Sequence, residues 1–114
     1  MYQYTPEQRV TAEQNAQGIE KMTLTHLSDF VGKNPKIRMF ARVSLNPGEE
    51  VPFHTHTGEC EYYYILSGAG VYSDNGTPVD VKPGLITFTP SGNAHGIRNT
   101  GTEQLEFIAL IVVD

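Results

Sequence analysis

Gly48-Glu49-Glu50-Val51-Pro52-Phe53-His54-Thr55-His56-Thr57-Gly58-Glu59-Cys60-Glu61 holds two of the chain's four histidines and ends on a carboxylate. Val51 to His56 has the pattern of a short strand, with Pro52 marking a sheet edge or the start of pairing. Residues i and i+2 of a strand project to one face, so His54 and His56 set two imidazoles side by side. Glu61 opens the next strand and shares a face with Tyr63 and Ile65. A second stretch, Gly84 to Asn99, adds His95. Three imidazoles and a carboxylate make a mixed nitrogen–oxygen donor set. Imidazole suits Fe, Cu, Ni and Zn, and carboxylate draws Mn. Without paired thiolates this is no structural zinc cage. An octahedral ion on four such donors keeps two positions free. A lone His-x-His pair does not decide a metal site; the two stretches must be read together.

Outward from this segment the chain is a series of short strands. Lys21 to Leu27 alternates Met22 and Leu24 against threonines, and His26 has the place of a sheet or surface residue. Ile37, Met39, Ala41, Val43 and Leu45 alternate with Arg38, Arg42 and Ser44, which reads as a half-buried strand. On the C-terminal side, Glu61–Leu66, Ala69–Tyr72, Val79–Lys82, Ile86–Thr89, His95–Arg98 and Glu103–Val113 are strands. Asp74-Asn75-Gly76 is a hairpin turn between two of them. Leu105, Phe107, Ala109 and Ile111 are apolar, and so are Ile108, Leu110 and Val112 on the opposite face. A strand apolar on both faces is covered on both. Regularly spaced turns with no helix after residue 20 predict an all-β sandwich or barrel over residues 21–114. Residues 1–20 form a polar arm in which Thr5-Pro6-Glu7 has the chemistry of a helix start.

The chain of 114 residues is read as one domain. Its net charge of −5 and lack of basic runs exclude a nucleic-acid partner of the phosphate-binding kind. The single cysteine, Cys60, allows no internal disulfide. There is no secretory leader pattern and no apolar run of about 18 residues, so no membrane partner is expected. The expectation is a soluble, cytoplasmic protein. The two-sided last strand, the strand Ile37–Leu45 and the N-terminal arm predict a homodimer through sheet packing.

The two stretches together resemble the paired motifs of the cupin superfamily. The first motif, glycine, five residues, His-x-His, three or four residues, Glu, six residues and glycine, is matched by Gly48, His54, His56, Glu61 and Gly68. The second, glycine, five residues, Pro-x-Gly, two residues, His, three residues and Asn, is matched by Gly84, Pro90, Gly92, His95 and Asn99. The resemblance covers residues 37–113. It implies a double-stranded β-helix, the jelly-roll barrel, with one divalent ion (Mn, Fe, Ni or Zn) inside its mouth. It implies His54, His56, Glu61 and His95 as ligands, while Asn99 reads as a residue that ties down a turn.

Around that centre, Met39, Ala41, Tyr63, Phe107 and Ala109 are candidate pocket residues, and Glu59 and Tyr63 are candidate catalytic residues for proton transfer. Cys60 alternates away from Glu61 and fits an apolar gap. Arg38, Arg42 and Arg98 fall on the outer face, leaving no inward cation. Two function classes follow. One is a metal-dependent enzyme on a small carboxylate, diketone or sugar-like substrate, such as a dioxygenase, isomerase or decarboxylase/lyase. The other is a non-catalytic metal-containing module that binds or senses a small molecule.

Overall fold

The computed structural model describes residues 9–14, 20–27 and 34–114. Among the described residues ten strands follow in chain order: β1 (Arg9–Gln14), β2 (Glu20–His26), β3 (Ile37–Leu45), β4 (Glu50–Thr55), β5 (Glu59–Ser67), β6 (Gly70–Asp74), β7 (Thr77–Val81), β8 (Ile86–Thr89), β9 (Ala94–Arg98) and β10 (Leu105–Val113). They form a six-stranded sheet, β1-β2-β3-β10-β5-β8, and a four-stranded sheet, β4-β9-β6-β7. All pairings are antiparallel. This is the jelly-roll β-barrel. No helix among the described residues is long and apolar enough to cross a membrane.

Strict alternation on β5 and β10 builds the interior. Glu61, Tyr63 and Ile65 turn inward from β5, and Leu105, Phe107, Ala109 and Ile111 from β10. Tyr63, Ile65, Leu105, Phe107 and Ala109 meet Ala41, Val43 and Leu45 of β3 and Ile97 of β9 in one core. Two connections are fixed by particular residues. At Gly68, φ is +98°, and an added Cβ would lie 2.7 Å from the Cα of Leu105, so only glycine turns there. The Asn99 amide donates to the carbonyls of Leu45 (2.8 Å) and Glu103 (2.7 Å), and its oxygen accepts the Gly101 N–H (2.9 Å). Asn99 thus ties the end of β3 to the β9–β10 connection.

The N-terminal arm differs from its sequence reading. Residues 9–14 form a strand that pairs with β2 from Arg9↔His26 to Gln14↔Glu20. The cause is β2's free edge: a row of unpaired N–H and C=O groups takes a further strand whatever its polarity. The helix start at Thr5-Pro6-Glu7 lies outside the described residues.

Candidate metal centre

Strand β4 carries His54, and His56 follows just past its end; β5 carries Glu61 and β9 carries His95. Strands β4 and β9 set His54 opposite His95. Their register slips by one residue: Val51 faces Ile97 and His54 faces His95, so β4 has one residue more than β9 across this span. Pro52, with no N–H to give the ladder, lies in this bulge. The bulge lets Val51 and His54, three residues apart, face the same cavity. It also presses the two backbones together. A Cβ on Gly96 would lie 2.9 Å from the Phe53 nitrogen and 3.0 Å from the Phe53 Cα.

Four donor atoms converge from these strands. His56 Nε2 lies 3.0 Å from His54 Nε2 and 3.0 Å from His95 Nε2. Glu61 Oε1 lies 2.9 Å from His56 Nε2 and 2.9 Å from His95 Nε2. The other ring nitrogens are engaged. His54 Nδ1 donates to the Pro52 carbonyl at 2.6 Å, and His56 Nδ1 donates to Glu59 Oε2 at 2.7 Å. His95 Nδ1 sits 2.9 Å from both the Tyr72 hydroxyl and Thr89 Oγ1. The Pro52 carbonyl only accepts, so a neutral His54 carries its proton on Nδ1 and leaves Nε2 bare. His56 has a carboxylate oxygen on each ring nitrogen, Glu59 on Nδ1 and Glu61 on Nε2.

One proton on His56 Nε2 would bond only one of His54 Nε2, His95 Nε2 and Glu61 Oε1. A cation between the four donors suits them all. For donor–metal bonds of about 2.1 Å, donors at right angles lie about 3.0 Å apart and tetrahedral donors about 3.4 Å apart. The observed edges of 2.9–3.0 Å match right angles. The residues present therefore fit an octahedral divalent ion.

The electrostatics agree with that use. Burial, with the neighbouring imidazoles, lowers the His54 pKa against the opposing Pro52 hydrogen bond, which favours the neutral, ligating ring. The Arg38 hydrogen bonds, then the His56 contact, hold Glu59 below its usual carboxylate range despite partial burial. Burial first, then the Glu61 charge, pushes the Tyr63 phenol well above its usual value, so it stays protonated.

A cavity of about 590 Å³ opens beside the donors. Met39, Tyr63 and Ala109 line it, with Leu24, Val51 and Ile111. Ala41 and Phe107 correct the sequence reading: both are fully buried in the core and neither lines the cavity. The Tyr63 ring stacks on His95 (centroids 4.8 Å apart) and leans on Phe107 (4.4 Å), standing between Phe107 and the donors. The Ala41 methyl is overtopped by Met39 and Val43, two residues to either side on the same strand face.

The two residues singled out for proton transfer sit differently from a free acid and base. Both Glu59 oxygens are bonded, to Arg38 and His56. Tyr63 is buried against His95. Arg38 is a further correction. Alternation assigns it to the outer face, yet it reaches the cavity rim. Met39 faces Ile111 and Ile37 faces Val112, so Arg38 is the extra residue of a bulge in β3. Nothing in the sequence marks that slip. Tyr72 and Thr89 also escaped notice, although Thr87 and Thr89 alternating with Ile86 and Phe88 is a usable signal. In β8 the polar residues are buried and the apolar ones exposed.

A cupin-domain family model matches residues 41–113. The chain belongs to the cupin family. This cupin is 44% identical over 109 residues to an oxalate-binding protein of Thermotoga maritima, across 96% of this chain and 88% of the relative. Its fold is similar to the crystal structure of a predicted oxalate decarboxylase of Thermotoga maritima, with a TM-score of 0.87, 41% identity and 100% of both chains covered. Auxin-binding protein ABP19a of Prunus persica is 34% identical over 92 residues, which span 75% of this cupin but 44% of that protein.

Proposed function

We propose that this cupin binds a small chelating dicarboxylate of the oxalate type through a divalent ion held by His54, His56, Glu61 and His95. The observation that carries the reading is the cluster of donors at 2.9–3.0 Å beside an open cavity. The ion, drawn from Mn, Fe, Ni and Zn, supplies a Lewis-acid centre with free coordination positions. Three neutral imidazoles and one carboxylate leave a divalent site with a net positive charge, which favours an anionic ligand. The apolar wall of Met39, Val51, Ala109 and Ile111 limits competing water around the bound carboxylates. The 44% identity to an oxalate-binding protein supports the choice of ligand.

An enzymatic reading draws on the similarity to a predicted oxalate decarboxylase. Loss of carbon dioxide leaves a carbanion that a nearby acid must protonate. Both Glu59 oxygens are already bonded to Arg38 and His56, and the Tyr63 ring is buried and stacked on His95, so neither is a free acid. The binding reading therefore stands first. Calorimetry with oxalate on Mn-loaded and chelator-treated protein tests it, together with assays for carbon dioxide, formate and dioxygen uptake. Binding only to loaded protein, with oxalate recovered unchanged, is the expected result. Turnover would establish the enzyme, and binding that survives complete metal removal would sink both readings.

A further inference from the structure

We infer that Arg38 is a positioning residue for the metal centre: by gripping Glu59 it fixes the orientation of the His56 ring. The inference rests on the reading that the three histidines and Glu61 hold a divalent ion.

His56 is the hub of the cluster. Its Nε2 lies 3.0 Å from His54 Nε2, 3.0 Å from His95 Nε2 and 2.9 Å from Glu61 Oε1. A rotation of this one ring is felt at three other donors. What holds the ring is Glu59 Oε2, which accepts the Nδ1 proton at 2.7 Å. Glu59 is held in turn by a two-pronged contact: Arg38 Nε donates to Oε1 at 2.8 Å and Arg38 Nη2 donates to Oε2 at 2.7 Å. Parallel bonds from a planar guanidinium fix the plane of a carboxylate, which a single bond does not.

The chain goes out of its way to make this contact. Arg38 stands on β3 and Glu59 on β5, with β10 between them. Ile37 faces Val112 and Glu59 faces Val113, so the pair bridges the end of β10. The bulge at Arg38 departs from alternation and allows this reach. Burial is graded along the relay: side-chain exposure falls from 54% at Arg38 to 14% at Glu59 and 6% at His56. An ion pair with so exposed a cation adds little to global stability. Its consequence lies at the buried end, where a carboxylate on the far nitrogen orients a ligating imidazole and raises its basicity. Lysine offers a point charge and no fork, so it replaces arginine only in part.

Two measurements decide the matter. In metal-free protein, ¹⁵N imidazole spectra are expected to show the His56 Nδ1–H, held on Glu59, as a slowly exchanging signal. In Arg38→Met that proton is expected to exchange faster with water, with Arg38→Lys in between. In competition with a chelating dye, Arg38→Met is expected to weaken Zn²⁺ binding about tenfold, at the low end of what loss of an outer partner costs. The double variant Arg38→Met with Glu59→Ala is expected to bind no more weakly than Glu59→Ala alone. An unchanged Nδ1–H exchange in Arg38→Met overturns the inference, as does an undiminished Arg38 effect without Glu59. If Arg38→Met does not fold, Arg38→Lys carries both readouts. If the unaltered protein binds no divalent ion, the metal reading falls by itself, and the Nδ1–H exchange still decides whether Arg38 positions His56.

Discussion

At the scale of single residues, each ring nitrogen that faces away from the cluster has a partner of a different kind. His54 uses a carbonyl, His56 a carboxylate and His95 a pair of hydroxyls. Removing a donor and removing a donor's support should then differ in size. His95→Ala takes away one of four donors, so its loss of metal affinity should exceed the roughly 10–100-fold typical of an outer partner. Tyr72→Phe leaves Thr89 on His95 Nδ1, so its loss should be about tenfold or less. Dye competition on both variants checks the order, and a Tyr72→Phe loss equal to that of His95→Ala would contradict it. Tyr63 gives a pH prediction. Its folded pKa is raised, so the stability it contributes is fully present below the unfolded value of about 10. Above that pH the unfolded chain releases the proton and the folded protein does not, so stability declines as pH rises. Thermal melts of the unaltered protein should therefore fall more steeply above about pH 10 than those of Tyr63→Phe, which lacks the group. Parallel curves would count against the assignment.

At the scale of elements, bulges decide which side chains reach the centre. On β4 the extra residue sits opposite Gly96, whose hypothetical Cβ meets backbone atoms of Phe53 that cannot rotate away. Gly96→Ala should cost about 1–3 kcal/mol, the usual range for overpacking, and should weaken metal binding by parting His54 from His95. Urea unfolding measures the first effect and dye competition the second. Gly101→Ala is the control, since its nearest new neighbour lies 3.5 Å away. Bulges also mark where the sequence stops being readable. From Glu61 to Leu66 on β5 and along β10 the period of two holds, so the inward places of Glu61 and Tyr63 and the two-sided apolar β10 follow from residue order. The Ile86–Thr89 strand matches end for end. The donor set was legible because the motif spacing carries it across the bulge at Pro52. The rim was not. Arg38 lies where β3 gains one residue on β10, and a one-residue slip moves a side chain to the other face. Phe107 has the right face but stands behind Tyr63, a matter of depth on which periodicity is silent.

At the scale of the whole molecule, the large sheet's outer face carries more apolar surface than the cavity explains. Ile86 is 65% exposed, Phe88 49%, Tyr64 47%, and Tyr62 and Leu66 40% each. The register makes most of them neighbours. Tyr62 lies between Leu110 and Phe88, Tyr64 lies between Ile108 and Ile86, and Leu110 faces Phe40 on β3. Tyr62 and Phe88 touch, with ring centroids 4.8 Å apart. Single exposed apolar residues are ordinary on a monomer, but a contiguous patch across four strands marks an interaction surface. A second copy of the chain is the occupant we expect, since two such faces stack sheet on sheet about 10 Å apart with their apolar side chains interleaved. The centre of the interface then falls on β5 and β8 as well as on β10 and β3. Light scattering on the size-exclusion peak should give a dimer at micromolar concentration. Tyr64→Lys with Ile86→Lys places two charges per copy at the centre of that face and should give a monomer. Neither residue lines the cavity, so that monomer should bind its metal with unchanged affinity. A monomer for the unaltered protein, or a dimer unmoved by both lysines, would place the contact elsewhere or remove it.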